Sequence, residues 1–369
     1  MRLLSRTAGG RRGSPLRAHL PLRCAAVCRG SGDGGCATHG TGGRPPHRAG
    51  GQLAHTVGDT KMNLASALGW CVSAFVLAAT AGLLASWLDR KITARLQWRV
   101  GPPWYQNFAD LAKLAGKEVL VPEQSNRLTF LAAPVLSVTG MTACAGMLLL
   151  AAGRRLGFEG DIVLFVYLLA LPPLAVALGG SSSANILASL GVSREVKLLL
   201  SYELPFLCAV IAACVKAGPT TSLARILLFQ EMSRPLLFSL SGLLGFLICV
   251  VVLTAKLGYV PFDVAEAEGE IASGALIEYS GILLGLFKLG KAMLLAVGPA
   301  FIVVLFWGGF GSTLGGAIAG FLKCLVVVVL VVLIKNTNPR LRIDQALRLF
   351  WGIATVAGLA SILLACAGW

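Results

Sequence analysis

The chain alternates long apolar runs with short polar connections. After residue 61, eight runs of about 18 residues or more are rich in Leu, Ala and Val and hold few charges. Continuous runs of this length predict transmembrane α-helices, because the strands of an outer-membrane barrel would alternate apolar and polar residues instead. We place the helices at about 64–88, 128–152, 162–180, 195–216, 235–256, 276–308, 314–336 and 346–367. The sixth exceeds a ~30 Å hydrocarbon core, so tilt or an extension beyond the bilayer is expected.

Composition agrees with this pattern. Apolar residues make up 56% of the chain and charged residues only 13%, which excludes a soluble globular domain. The predicted fold class is therefore all-α: a polytopic integral membrane protein with about eight transmembrane helices in residues 62–369. The lipid bilayer is its expected surrounding, and no nucleic-acid partner is expected.

Residues 1–61 differ from the rest of the chain. They are rich in Arg, Gly and Pro and carry ten basic residues against two acidic ones. An Arg-rich, acid-poor start is typical of a mitochondrial transit segment. Gly and Pro disfavour the amphipathic helix of such a segment, however. We therefore favour a disordered or non-native extension, with translation beginning at Met62.

Basic residues are divided unequally between the connections. The odd-numbered connections hold most of them, including Lys256 at a helix edge. The even-numbered connections hold only Arg154, Arg155, Arg225 and Arg234. The positive-inside rule then predicts that the odd-numbered connections are cytoplasmic and that the first helix begins outside. An exported arm with the net charge of +8 found in residues 1–61 would fit that orientation poorly.

The fifth connection gathers carboxylates that are scarce elsewhere. The stretch VPFDVAEAEGEIASGALIEYSG contains five of the 17 acidic residues, namely Asp263, Glu266, Glu268, Glu270 and Glu278. Asp263 and Glu266 have the spacing of a helix-capping box, and on a helix they share a face with Glu270. Carboxylates that are crowded and partly buried exchange protons closer to neutral pH than isolated ones. A solvated loop is the alternative, but Glu278 leads directly into the sixth helix.

Further charges fall inside the predicted helices. Glu203 lies in the motif SYELP, while Lys288 and Lys291 are three apart and share a face of the sixth helix. Charges at membrane depth usually face a protein interior or a water-filled path, with internal salt bridges as the alternative. The predicted proton or ion path is Glu203, Asp263, Glu266, Glu268, Glu270, Glu278, Lys288 and Lys291. Lys216, Lys323 and Lys335 lie near helix ends, where snorkelling toward water is expected.

Two odd-numbered connections carry basic clusters. The first runs DRKITARLQWRVGPPWYQNFADLAKLAGKE over residues 89–118, and its second half predicts a short amphipathic helix. Such a helix can lie at the membrane interface and support a docked partner, and a basic loop that meets anionic lipid is the alternative. The second cluster is NTNPRLRIDQALRLFW at 336–351. The predicted docking residues are Arg90, Arg95, Arg99, Arg340, Arg342 and Asp344.

Metal and redox chemistry are not expected on this chain. Its ten cysteines are scattered, mostly in apolar runs, without a CxxC pair, and its four histidines all lie in the N-terminal 61 residues. A donor set for a metal or an iron–sulfur cluster is therefore missing. A phosphate-binding GxxxxGKS/T loop is missing too. We predict a non-catalytic subunit that binds no metal and no cofactor of its own.

Three motifs together resemble one family. PFDVAEAEGEI with EYSG, SYELP, and PRLRIDQALRL are similar to subunit 1 of respiratory complex I and its relatives in membrane-bound nickel–iron hydrogenases, over essentially all of residues 62–369. The resemblance implies an eight-helix subunit at the heel of a membrane arm, where a soluble redox arm docks. It also implies that the acidic stretch and Glu203 begin a hydrophilic path into the membrane. Arg340, Arg342 and Asp344 match the family's cytoplasmic arginine motif.

The connection after the first helix distinguishes two branches of that family. Complex I members typically carry a longer segment with a second Gly-Pro repeat, whereas RVGPPWYQNFADLAKLAGKE is short. This form resembles the hydrogenase branch, which includes formate hydrogenlyase and energy-converting hydrogenases. We therefore expect an ion-translocating subunit of a hydrogenase complex in the inner (plasma) membrane. The implied partners are antiporter-like membrane subunits, iron–sulfur proteins, and large and small hydrogenase subunits with a nickel–iron centre.

Two other functions stay open. One is subunit 1 of NADH:quinone oxidoreductase (complex I), which binds a quinone beneath the docked arm, in a bacterial or mitochondrial inner membrane. The other is a stand-alone transporter, for which broken helices in paired repeats near the midplane would be expected. No convincing repeat is recognisable, and the carboxylates crowd one connection instead.

Overall fold

Helices provide the regular structure of the molecule. The computed structural model describes residues 64–153, 155–265, 274–311 and 313–368, and no strand occurs in these ranges. The α-helices there are α1 (Leu64–Leu96), α2 (Gln106–Ala115), α3 (Arg127–Gly153), α4 (Asp161–Leu169), α5 (Leu171–Ser182), α6 (Ile186–Lys216), α7 (Leu223–Met232), α8 (Leu240–Lys256), α9 (Gly281–Phe306), α10 (Leu314–Thr337), α11 (Ile343–Arg348) and α12 (Thr355–Cys366). The predicted all-α class is confirmed. The predicted extension 1–61 lies outside the described residues.

The eight predicted spans each correspond to helical structure. Among the described residues, seven segments are long and apolar enough to cross a membrane, and α8 is a shorter apolar helix at the position of the fifth predicted span. The amphipathic helix predicted after the first span is α2, between α1 and α3. At 33 residues, α1 continues to Leu96, well past the predicted end of the first span.

Two helices begin at positions that the apolar pattern did not indicate. The fourth span begins at Ile186 rather than near residue 195, because the Asn185 side chain caps it by accepting a hydrogen bond from the Leu187 amide. The sixth span begins at Gly281 rather than near residue 276. The residues Gly274–Leu276 form a separate 3-10 turn before it. Both corrections concern polar connections, where hydrophobicity carries little information about where a helix starts.

Two spans are not continuous α-helices. The third consists of α4 and α5, which are interrupted at Ala170, and Pro172 and Pro173 occupy the first turn of α5, where no backbone donor is needed. The last span contains a π-helical turn, Leu349–Ala354, between α11 and α12. That turn carries Phe350, which is fully buried.

The helix α9 lies at the centre of the bundle. It packs against α1, α3, α8 and α10, and 83% of its most apolar stretch is buried, a larger share than in any other span described. Its contact with α1 is a close backbone approach: a Cβ at Gly82 would lie 2.6 Å from the carbonyl oxygen of Ala292. A small residue at this position therefore sets the distance between α1 and α9.

The odd-numbered connections meet at one end of the bundle. The Asn126 amide donates to the Ser182 carbonyl, and the Leu341 amide donates to the Pro261 carbonyl. The Leu120 amide donates to Ser280 Oγ at 3.0 Å. We call this end, formed by the described parts of residues 97–126, 183–185, 257–280 and 338–342, the acidic-loop end. Hydrogen bonds such as those from the Gln230 side-chain amide to the Val304 and Leu305 carbonyls belong to the opposite end.

A first prediction concerns the approach of α1 to α9. Gly82→Ala should destabilise the protein by about 1–3 kcal/mol, because the added methyl group meets backbone atoms that cannot move aside. The matched control is Gly69→Ala in the same helix, where nothing lies within 4 Å of the new Cβ. That control should leave stability unchanged or raise it by about 1 kcal/mol or less. Thermal unfolding of the detergent-solubilised protein measures both, and equal melting temperatures would contradict the packing described.

Candidate functional site

The centre of the site is a buried ion pair between α6 and α8. Lys256 Nζ lies 2.6 Å from Glu203 Oε2, and the side chains are 1% and 22% exposed. The ammonium group also lies 5.0 Å from the ring centre of Tyr202 and 4.8 Å from that of Phe206. Charge, hydrogen bond and aromatic faces together replace the water that Lys256 has lost.

The sequence did not reveal the role of Lys256. It is the last residue of α8, and by charge alone it counts as one of the basic residues of a water-facing connection. In the structure it is turned inward and is almost completely buried. Beside it lies a cavity of about 10 Å³, roughly the space of one water molecule, whose lining includes Phe206, Cys249, Lys256 and Gly298.

An aromatic series leads from the ion pair toward the acidic-loop end. The ring of Tyr202 lies 6.1 Å from that of Phe350, which lies 4.8 Å from that of Phe262. All three residues are buried, and within the described part of the chain the Tyr202 hydroxyl has no hydrogen-bond partner. The π-helical turn of the last span thus inserts Phe350 between α6 and the fifth connection.

A second ion pair links the fifth and seventh connections. Arg340 Nη2 lies 2.7 Å from Asp263 Oδ2, and the neighbouring Leu341 amide binds the Pro261 carbonyl. Two predicted residues, one from the ion path and one from the docking cluster, are therefore brought together. The remaining acids of the stretch, Glu266, Glu268 and Glu270, lie outside the described residues. The capping role suggested for Asp263 by its spacing from Glu266 therefore stays a prediction.

A third ion pair was missed by the sequence. Lys335 Nζ contacts both carboxylate oxygens of Asp89, at 3.1 and 2.8 Å, and lies 4.3 Å from the ring centre of Tyr259. Lys291 Nζ lies 5.7 Å from the same ring. Snorkelling was therefore the wrong prediction for Lys335, because a buried carboxylate on α1 holds it inside the protein. The signal available in the sequence was Asp89 itself, an acid directly after an apolar run.

Glu278 lies in a groove at the acidic-loop end. Its Oε1 accepts a hydrogen bond of 2.5 Å from Asn185 Nδ2, the residue that caps α6. The groove has a volume of about 570 Å³ and is lined by Pro122, Glu123, Gln124, Ser183, Ala184, Asn185, Ile186, Leu187 and Glu278. Glu278 thus stands at the boundary between the open end of the molecule and the helices.

Tyr279 fixes the position of Glu278. The buried Tyr279 ring stacks on Phe130 with centres 4.1 Å apart, and its hydroxyl donates to the Phe130 carbonyl. Burial raises the pKa of Tyr279 to about 12, which agrees with a hydroxyl that acts as a hydrogen-bond donor in an apolar setting. The residue after Glu278 is therefore anchored in the apolar core by ring stacking and a hydrogen bond.

The other predicted residues are distributed more widely. Lys288 is exposed on α9, whereas Lys291 is half-buried near Tyr259, so their shared face does not give them the same surroundings. Arg90 pairs with Asp110 of α2 at 3.2 Å. The remaining docking residues are exposed: Arg99 and Arg342 at the acidic-loop end, Arg95 in the last turn of α1 and Asp344 in the first turn of α11. In the described part of the chain, no group of three or more His, Cys, Asp or Glu side chains could hold a metal ion.

Comparisons with known proteins agree on one family. A family model described as NADH dehydrogenase matches residues 70–366. The H-type subunit of the NADH-quinone oxidoreductase from Syntrophotalea carbinolica is 35% identical over 298 residues, 76% of this chain and 88% of that protein. A second H-type subunit, from Syntrophobacter fumaroxidans, is 33% identical over 297 residues, 75% of this chain and 88% of its own.

A solved structure shares the fold. A chain from the membrane-bound sulfane sulfur reductase, an archaeal respiratory membrane complex, superimposes with a TM-score of 0.74 at 27% identity. The alignment covers 81% of this chain and 99% of that one.

A second prediction tests the buried pair. Lys256→Met leaves the Glu203 carboxylate buried without its partner and should lower stability by about 3–5 kcal/mol. The double variant Lys256→Met with Glu203→Gln removes both charges and should recover part of that loss. As a control, Lys323→Met removes a hydrogen bond to the Trp307 carbonyl and should cost about 1 kcal/mol. Thermal unfolding in detergent gives the three values; additive losses in the double variant would exclude direct coupling.

Proposed function

Because the chain belongs to the NADH dehydrogenase family, we propose that it is the membrane-anchoring, ion-path subunit of a nickel–iron hydrogenase complex. At the level that its relatives establish, it is a membrane subunit of a respiratory complex of the complex I or hydrogenase-like type. In the finer proposal, a docked soluble arm carries the nickel–iron centre and the iron–sulfur clusters. The chain itself anchors that arm and couples its redox state to proton or ion movement.

One observation carries the ion-path part of the proposal. The buried Glu203–Lys256 pair lies inside the bundle, whereas Asp263 and Glu278 lie at the acidic-loop end. A proton shift from the Lys256 ammonium to the Glu203 carboxylate would neutralise both groups and leave the net charge of the pair unchanged. Uptake or release of a proton by either group would change the charge inside the bundle, where an unpaired charge is costly. A redox arm that moves the fifth connection can thereby bias the pair.

The short connection after α1 supports the hydrogenase branch. Trp87 Nε1 donates to the Pro102 carbonyl at 3.1 Å, which folds the connection back onto α1. Asn107 of α2 donates to the Leu83 carbonyl at 3.0 Å, so α2 lies close against the same helix. Together with the backbone contact of Gly82 with α9, these contacts close the side of the bundle where α1, α2 and α9 meet. A quinone tail that entered the bundle on this side would have to separate them.

The second candidate is the quinone-reducing complex I. It is favoured by the named relatives, which are NADH-quinone oxidoreductase subunits at 33% and 35% identity. In that case the same acidic-loop end receives a quinone beneath the docked arm. The orientation is common to both candidates: the acidic-loop end, with its basic residues, faces the cytoplasm.

A third prediction distinguishes the two candidates. The complex purified through this chain should oxidise hydrogen with a viologen dye, because its partner would hold a nickel–iron centre. It should not oxidise NADH with a quinone. Metal analysis of the same preparation should find nickel in addition to iron. NADH:quinone activity without nickel would replace the proposal by the complex I candidate, and a chain that purifies alone and transports ions would exclude both.

A fourth prediction tests Glu278. Glu278→Gln keeps the hydrogen bond from Asn185 but removes the charge, so we expect assembly to be retained while ion movement coupled to turnover falls by about tenfold or more. The matched control is Glu123→Gln, an exposed carboxylate that lines the same groove. The readout is the ion gradient formed per turnover by the complex in vesicles. Normal coupling in Glu278→Gln would remove this residue from the path.

A further inference from the structure

The C-terminus of α1 places a tryptophan where glycine is the usual residue. The Arg99 amide donates to the Ala94 carbonyl at 2.7 Å, and the Trp98 amide donates to the Arg95 carbonyl at 3.2 Å. This pair of hydrogen bonds is a Schellman motif, whose residue after the helix adopts the left-handed conformation. Trp98 is that residue, with a φ of 58°. The conformation is disfavoured for every side chain that has a Cβ, and glycine would adopt it freely.

Within the described part of the chain, no side-chain packing of Trp98 offsets the cost of its left-handed backbone conformation. The Trp98 side chain is 98% exposed, so the indole neither packs against another element nor shields the backbone. A large aromatic side chain held in an unfavourable backbone conformation, and presented to the surroundings, is typical of a binding surface rather than of a folding requirement.

The distance of Trp98 from the apolar part of α1 favours a protein partner over lipid. The apolar part of α1 ends at Leu88, and the helix continues for eight residues to Leu96, about 12 Å along its axis, with Trp98 in the turn that follows. The polar headgroup layer adds only about 5–8 Å to each side of the hydrocarbon core. If the hydrocarbon core ends where the apolar part of α1 ends, Trp98 lies beyond the headgroup layer, where a protein partner rather than lipid would cover the indole.

Two neighbouring aromatic residues lie closer to the membrane than Trp98 does. Trp104 and Tyr105 are also exposed and contact each other edge to face, at 5.9 Å between ring centres. They follow shortly after Pro102, whose carbonyl is bonded to Trp87, and they directly precede α2. They therefore lie near the membrane boundary, where Trp and Tyr commonly contact lipid headgroups.

The charges around Trp98 indicate the chemistry of its partner. Arg95 and Arg99 flank it and are both exposed. We propose that Trp98 is the anchor with which this chain docks the soluble redox arm, on a subunit that presents an apolar pocket rimmed by Asp and Glu. Trp and Arg are the residue types that dominate the binding energy of protein interfaces. This inference rests on the proposed function, because it requires that a soluble arm exists.

The test uses the intact complex in native membranes. Trp98→Gly removes the indole and relieves the backbone conformation, so the amount of this chain in the membrane should not fall. The ratio of soluble-arm subunits to this chain after a salt wash should fall about tenfold or more. Trp104→Ala, the matched control near the membrane boundary, should keep the wild-type ratio. Trp98→Phe should restore part of the retention because it keeps an aromatic side chain.

A photo-cross-linking amino acid at position 98 identifies the contact. A cross-link to a soluble-arm subunit of the same purified complex, mapped by mass spectrometry to an acidic-rimmed surface, is the expected result. A cross-link only to lipid, or to a second copy of this chain, overturns the inference, as does an unchanged arm ratio in Trp98→Gly. In those cases the proposed function still stands if the wild-type complex contains the arm. A wild-type preparation without any soluble arm overturns both.

Discussion

A charge among apolar helices is stable only when the protein itself supplies what water would have supplied, and this constraint organises the molecule around Lys256. Its amine lies 2.6 Å from Glu203 and is enclosed by Tyr202 and Phe206. Burying two charges costs several kcal/mol each, and the mutual attraction offsets this only while the geometry is kept. The relative position of α6 and α8 therefore depends on whether Glu203 and Lys256 are both charged. Conversely, a movement of either helix would weaken the pair.

The acidic-loop end is held together by contacts between parts of the chain that are far apart in sequence. The Asp263–Arg340 pair joins two connections, and the Asp89–Lys335 pair joins α1 to α10. Tyr259 lies close to both Lys335 and Lys291, so the fifth connection is also tied to α9 and α10. A displacement of that connection by a docked partner would consequently reach several spans at once. The site therefore consists of separate ion pairs that link the helices, and not of one cavity.

Much of the fold could be predicted, whereas the pairings could not. Long apolar runs revealed the spans, and the period of Phe108, Leu111 and Leu114 revealed α2. The acidic stretch and SYELP drew attention to Asp263, Glu278 and Glu203. Lys256 and Lys335 were misread because a lysine at a helix end has the same local sequence whether it reaches water or a carboxylate. Their partners lie 53 and 246 residues away, so only tertiary packing decides between the two.

The π-helical turn Leu349–Ala354 constrains how many residues the last span can contain, more than which residues they are. A π turn takes in one residue more than an α turn, which rotates everything after it by about 100°. Beyond the turn, Gly358 fits against Cys208 of α6 and Ser361 donates to the Ser241 carbonyl of α8. Within the turn, Phe350 faces Tyr202. The number of residues between Phe350 and Gly358 thus keeps the two packing faces in phase, and a deletion there would disturb both. An exposed residue such as Trp351 could be exchanged for another apolar residue without this effect.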